Sequence, residues 1–307
     1  MNSPLHALAA PATARIRRWV LGAFPRGQSG IDYDHPPGDP GLFGADSVTW
    51  RIHADFPGML AGGLCALMLQ TLHPQALAGV WDHSQFRTDL LGRLRRTTNF
   101  VAGTTYAGRA EAERLIAHVD SIHARVQGIT ADGRPYRAQD PRLLTWVHVT
   151  ESYGFLEGFR RYAPMALPAG FADRYFDESR RVAQALGARD VPGSEAQVAG
   201  YFASVQDQLR YDERSREVLA VLARIALPVP AVALSRNLFL GAGSALLPPW
   251  AAERLRLSRS QRLQAAVAAQ ALRRISPLFR LALSDGVAPR ACRRVGVPES
   301  VLDAWPG

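Results

Sequence analysis

Apolar residues recur at helical spacing along most of this chain, and strict apolar-polar alternation is rare. The longest apolar run, Met59 to Leu72, carries Gln70 and is followed by Pro74. It predicts a buried helix that starts at Asp55-Phe56-Pro57 and kinks or restarts at the "LHP" step. The run is too short to cross a bilayer, which takes about 20 residues. Further helices are predicted over Ser84 to Arg95, Arg109 to Gln127, Pro141 to Tyr162, Gly170 to Leu186, Ser194 to Tyr211, Ser215 to Leu227 and Ser260 to Arg274. Ser194 and Ser260 stand where N-caps belong. Only "DSVTWRIH", Asp46 to His53, and "GRPYRA", Gly133 to Ala138, alternate enough to predict extended structure.

Before this body, Leu8, Ile16, Trp19, Val20 and Phe24 form an apolar stripe on an Arg-bearing helix, and residues 26–46 are dense in Gly, Pro and Asp. The chain therefore divides into residues 1–46, an N-terminal amphipathic helix and Pro/Gly-rich connector, and residues 47–307, an all-α body. The whole is expected to be a single all-α globular unit of roughly ten helices, without internal repeats. The N-terminal stripe either docks on this body or makes peripheral contact with a membrane surface; docking is the preferred reading.

Composition changes the picture mainly by exclusion. The 307 residues are 47% hydrophobic and 21% charged, as expected of a soluble globular protein. The net charge is +9, but all 36 basic side chains are Arg, spread along the chain, and no zinc-finger spacing or aromatic RNA-binding strand accompanies them. No nucleic-acid partner is expected. The absence of Lys removes Schiff-base chemistry. Cys65 and Cys292 are far apart and outside any C-x-x-C pair, so neither a structural zinc site nor covalent haem attachment is supported, and a reducing cytoplasm fits best. There is no G-x-S-x-G elbow, phosphate loop or dinucleotide fingerprint.

Three sets of side chains remain as candidate chemistry. Arg93, Arg96 and Thr97 share a helix face beside Leu90, either as a solvated face or as a cradle for an anionic group. His123 follows Ile116 and Val119 on a buried stripe, either as a core histidine or as a metal ligand, while His118 faces solvent. Asp120 and His123 form a D-x-x-H pair, but no E-x-x-H motif completes a di-iron set. His73 precedes the helix break at Pro74, where it either caps the helix end or reaches a pocket. His83 is expected to pin local structure with Asp82 and Arg87, and His148 shares a face with Leu144, Ser152 and Phe155.

The ordered blocks "LQTLHPQALAGVWDHSQFR", "RLRRTTNFV", "IHARVQG", "GRPYRAQDPRLLTWVHVT" and "LLPPW" closely resemble the family grouped as DUF2236, the MpaB/rubber-oxygenase catalytic domain family, over roughly Ser47 to Pro289. That resemblance implies an all-α, rubber-oxygenase-like fold with distantly globin-like packing. It also implies a non-covalent haem b and oxidation of an apolar small molecule by dioxygen. His123 falls where the family places its iron ligand, with His148 in reserve. Arg93 and Arg96 would meet the haem propionates, and Thr97, Arg96 and His73 would attend the reacting face. Arg96 stands where rubber oxygenases carry an iron-capping Lys, and the "HPQALAGV" block lacks the family's upstream acid. Two other expectations remain: a haem-binding sensor or carrier without turnover, and a cofactor-free helical protein at a membrane surface. The sequence does not speak to oligomeric state.

Overall fold

Acceptor side chains stand before seven of the fourteen α-helices among the described residues, where they satisfy free backbone N–H groups and so fix where those helices start. The computed structural model describes residues 4–25, 30–225 and 232–307. The first elements are α1 (Pro4–Ala23), α2 (Val48–Ala54), α3 (Phe56–Gln70), α4 (Pro74–His83), α5 (Leu90–Tyr106) and α6 (Arg109–His123). A two-stranded antiparallel hairpin follows, β1 (Gln127–Ile129) with β2 (Pro135–Arg137). The remainder is α7 (Pro141–Tyr162), α8 (Phe171–Ala185), α9 (Glu195–Ser204), α10 (Glu213–Leu222), α11 (Val232–Ser244), α12 (Pro249–Arg254), α13 (Arg259–Ala282) and α14 (Val287–Val295). As the sequence predicts, Asp55 starts α3, its carboxylate accepting from Gly58 N at 3.0 Å, and Pro74 restarts the chain as α4.

The centre is the α3–α7 pair. Gly62 faces Gly154 and Gly58 faces Gly158, so closely that a β-carbon at any of the four would collide with the opposite backbone. α3 is apolar on all sides because it is wrapped by α7, α11 and α13. Leu69, Leu72, Trp146, Leu156, Phe159 and Leu272 are fully buried around it. Ile16, Trp19, Val20 and Phe24 of α1 dock on this core, with the Trp19 ring 5.6 Å from Phe239 and 5.3 Å from Phe279. The side chain of Leu8 lies outside the described residues. Among those residues, no single helix is long and apolar enough to cross a membrane.

Several expected elements differ. "DSVTWRIH" is helical, not extended, as α2. Ser47 Oγ accepts from Trp50 N, and the Glu178 carboxylate takes Val48 N at 3.2 Å and Thr49 N at 2.9 Å. Burial of Val48 through Ile52 on every side hides the helical period. The expected Ser84–Arg95 helix instead starts after Asp89, whose carboxylate accepts from Gly92 N at 2.9 Å, and it runs on to Tyr106. In the Thr-rich second half Thr97, Thr104 and Thr105 each donate to the carbonyl four residues back, which satisfies their hydroxyls inside the helix. α6 ends at His123, and Gln127 pairs instead with Arg137 in β1–β2. α9 is shorter than the run to Tyr211, and α10 starts from an Asp212–Ser215 capping box. Residues 226–227 of the predicted Ser215–Leu227 helix lie outside the described residues. The last long helix is capped by Ser258 with Gln261, not by Ser260, and extends to Ala282. With α11, α12 and α14 added, the described residues contain fourteen α-helices rather than ten.

Candidate functional site

An apolar cavity of about 910 Å³ lies alongside α3. Phe56, Met59, Leu60, Gly63, Leu64, Leu67 and Gln70 of α3 all face it, a spacing of three and four that exposes one stripe to the cavity from end to end. The opposite wall is Leu94, Thr97, Thr98 and Val101 of α5. Glu151, Phe155 and Phe159 come from α7, and Val20, Leu21 and Phe24 from α1. Its volume is in the upper part of the range that small-molecule sites occupy.

Polar groups gather where α3 ends. Glu151 is packed beside Gln70, with Arg93 of α5 and Tyr175 of α8 near enough to act on it electrostatically. Burial pushes the Glu151 carboxyl up to about 7, against the opposing pulls of neighbouring Gln70, whose Nε2 donates to Thr150 Oγ1 at 3.2 Å, and of the Arg93 charge. Arg93 is half-buried, and its guanidinium makes no hydrogen bond or ion pair among the described residues. Burial lowers its pKa, Arg96 lowers it further, and Glu151 opposes both. His53 of α2 also lines the cavity, and both its nitrogens are occupied: Nδ1 with Thr105 Oγ1 at 2.9 Å and Nε2 with Tyr175 OH at 3.0 Å. Burial, with the nearby His148 second, pushes His53 down to about 3.

The residues singled out in the sequence are distributed unevenly around this cavity. Thr97 faces it. Arg93 is near enough to Glu151 to act on it electrostatically but does not line the cavity, whereas Arg96 is exposed and paired with Asp89 at 3.3 Å. The short turn after Tyr106 folds α6 back along α5, with Leu115 against Gly103, which carries His123 at the end of α6 toward the first turns of α5 where Arg93 and Thr97 stand. His123 is half-buried, its Nδ1 has no hydrogen-bond partner, and burial lowers its pKa despite Asp120. His148 lies one helical turn before Glu151; its Nε2 is buried without a partner, and burial pushes the ring down to about 4. Neither His123 nor His148 is among the residues that line the cavity.

His73 lies away from the cavity, its ring 5.8 Å from Trp146 and beside Gln208, and its side chain does not cap α4. Its Nδ1 has no partner, and burial pushes it down to about 4. His83 pins local structure, but through the Gln127 carbonyl at 3.1 Å rather than through Asp82 and Arg87. Asp82 accepts instead from Tyr136 OH at 2.6 Å, and Arg87 pairs with Glu217 at 2.6 Å and stacks over Trp81. Both contacts recruit elements distant in sequence, which local spacing does not reveal.

Sequence reasoning alone does not single out Glu151, Gln70, His53 or Tyr175 as site residues. Helical spacing offers a signal for Glu151, three residues after His148 in "WVHVTESYG". His53 was masked by the extended reading of its segment.

Donors that could hold a cofactor lie off the lining of the apolar cavity: the Arg93 guanidinium has no partner among the described residues, and His123 Nδ1 and His148 Nε2 are buried without one. No group of three or more His, Cys, Asp or Glu that would hold a bare metal ion occurs among the described residues.

The family model described as "ER-bound oxygenase mpaB/B'/Rubber oxygenase, catalytic domain" matches residues 50–303, and the chain belongs to this family of oxygenase catalytic domains. No curated protein and no solved structure matches the chain.

Proposed function

We propose that the protein uses a non-covalent haem b and dioxygen to oxidise an apolar small molecule in the cavity along α3. The observation that carries this reading is that, in a member of an oxygenase family, a large apolar cavity has Glu151, a carboxyl without an ion pair among the described residues, in its lining, with the unpartnered Nε2 of His148 one turn away on the same helix. His123 is the proposed iron ligand. Arg93 would meet a propionate, since a half-buried guanidinium without a carboxylate is suited to a charge-assisted pair. Arg96, exposed and held by Asp89, would lie at the outer edge. Thr97 faces the cavity and already donates its hydroxyl proton to the Arg93 carbonyl at 3.3 Å, leaving the oxygen to accept.

When bound, haem iron supplies oxygen activation. The chain's own share is to exclude water with the leucines and phenylalanines of the wall, to align the substrate along α3, and to hold a proton at Glu151 Oε near neutral pH. His148 is a second candidate for the iron, favoured by its unpartnered Nε2 and its position one turn from Glu151.

The test is the oxidised and reduced absorption spectrum of the protein from haem-replete cells, beside His123→Ala and His148→Ala. A Soret band that shifts on reduction and is lost in His123→Ala alone supports the assignment. Loss in His148→Ala alone moves the ligand to His148, and no band after haem titration overturns the haem reading. Bound haem without oxygen-dependent consumption of any apolar substrate favours a sensor or carrier.

A further inference from the structure

The chain carries 36 Arg and a net charge of +9, yet a second cavity, of about 520 Å³, is lined by two carboxylates and by no basic side chain. It lies across α7 from the first: Glu151, Phe155 and Phe159 face the cavity along α3, whereas Tyr153 and Glu157 face this one. Its walls are aromatic. The Phe202 ring stands 5.4 Å from Tyr153 at 86° and 5.5 Å from Trp250 at 54°. Glu157 and Glu195 share one guanidinium: Arg160 Nη1 donates to Glu157 Oε1 at 2.9 Å and to Glu195 Oε1 at 2.8 Å, and its Nη2 donates to Glu195 Oε2 at 2.8 Å. Glu157 Oε2 is left without a hydrogen bond among the described residues. The other polar side chains of the lining are engaged. Tyr153 OH donates to the Leu246 carbonyl at 3.2 Å, and Gln206 Nε2 donates to the Phe202 carbonyl at 2.7 Å. Gln206 Oε1 accepts from Arg254 at 3.1 Å, and Arg254 also donates to the carbonyls of Gln206 and Leu209. Both nearby guanidiniums, Arg160 and Arg254, thus lie outside the lining, and the carboxylates lie in it.

We propose that this aromatic cavity binds a small organic cation of the quaternary ammonium class, its methylated head among Tyr153, Phe202 and Trp250 and its charge answered by Glu157 and Glu195. The faces of aromatic rings attract a cation, that of Trp most strongly. A primary ammonium brings three N–H donors that need acceptors. With Tyr153 and Gln206 engaged, the lining side chains offer it chiefly carboxylate oxygens that Arg160 already shares. A quaternary head has no N–H to satisfy, and its methyl groups suit apolar walls. An anion would meet Glu157 and Glu195 with no basic side chain in the lining to offset them. The Arg160 hydrogen bonds also hold the Glu195 carboxyl below its ordinary range, so its charge persists into mildly acid solution. The site stands apart from the proposed function, since the two cavities share no lining residue.

The experiment is calorimetric titration of the full-length protein with choline, with the neutral alcohol in which a tert-butyl group replaces choline's trimethylammonium, and with ethanolamine. The wild type is expected to prefer choline over its neutral isostere by roughly tenfold, the effect of a cation held against aromatic faces and carboxylates. Ethanolamine should bind more weakly than choline. Trp250→Leu should lose most of the choline affinity, and Glu157→Gln should weaken choline while leaving the neutral isostere unchanged. Equal affinity for choline and the isostere, ethanolamine bound as tightly as choline, no binding of choline, or choline affinity that survives both substitutions overturns the proposal. If Trp250→Leu does not fold, the response of Glu157→Gln decides. Because the measurement involves neither cavity along α3 nor haem, failure of the cofactor reading leaves this result separately legible.

Discussion

Glu151 and Arg93 bias each other's ionisation from neighbouring helices, yet no hydrogen bond or ion pair joins them. The carboxyl is therefore governed by burial more than by its cation, and its folded pKa of about 7 lies above the ordinary 4.5. Between those values the folded state holds more protons than the unfolded state, so this group's contribution to stability is complete below 4.5 and is lost as pH rises through 7. Glu151→Gln removes that loss. The variant should gain on the wild type between pH 4.5 and pH 8, by at most ~3 kcal/mol. Urea unfolding of both proteins across that range checks this, and parallel curves would count against it.

The buried histidines act in the opposite direction. His53 is pushed down to about 3, and His73 and His148 to about 4, from an ordinary 6.5. Below 6.5 the unfolded chain takes up protons that the folded one refuses, so stability falls with acid by up to ~1.4 kcal/mol per pH unit for each ring. From pH 6.5 to 4.5 three histidines outweigh one glutamate. The urea midpoint should drop on acidification, and less steeply in His148→Gln than in the wild type; an equal slope would show that the ring stays protonated on folding.

A side chain at the α3–α7 contact has no room. Gly154→Val should lower stability by about 1–3 kcal/mol or more through overpacking against the Gly62 carbonyl. By contrast, Gly200→Ala on α9, where an added β-carbon meets nothing, should raise it by roughly 0.5–1 kcal/mol. Thermal unfolding of the pair separates crowding from helix propensity.

Trp19 couples α1 to α11 and α13 through Phe239 and Phe279. Trp19→Ala should cost about 3 kcal/mol. It should also increase proteolytic cutting near the end of α1, which limited trypsin digestion followed by mass spectrometry would reveal. A digestion pattern unchanged from the wild type would mean that the remaining α1 contacts suffice.

The sequence displayed elements whose signals are local. Asp140-Pro141 at one end and Tyr162-Ala163-Pro164 at the other delimit α7, and its predicted and observed bounds coincide. The segment of α2 reads as extended because burial on all faces erases helical periodicity, and β1 is not evident because three residues are too few to show alternation. At the site, spacing correctly grouped Arg93, Arg96 and Thr97 on α5. It does not separate Arg93, whose charge reaches Glu151, from Arg96, which is exposed and paired with Asp89. That distinction depends on where α7 packs. Glu151 was overlooked because a carboxyl in an apolar helix declares itself only once its neighbours are known.

The family match begins at Trp50, while Val20, Leu21 and Phe24 of α1 supply part of the cavity wall. One side of the binding chamber is thus furnished by a segment outside the oxygenase body, like a removable panel on a fixed frame. A change confined to α1 would therefore reshape one wall of the cavity while leaving the matched region as it is.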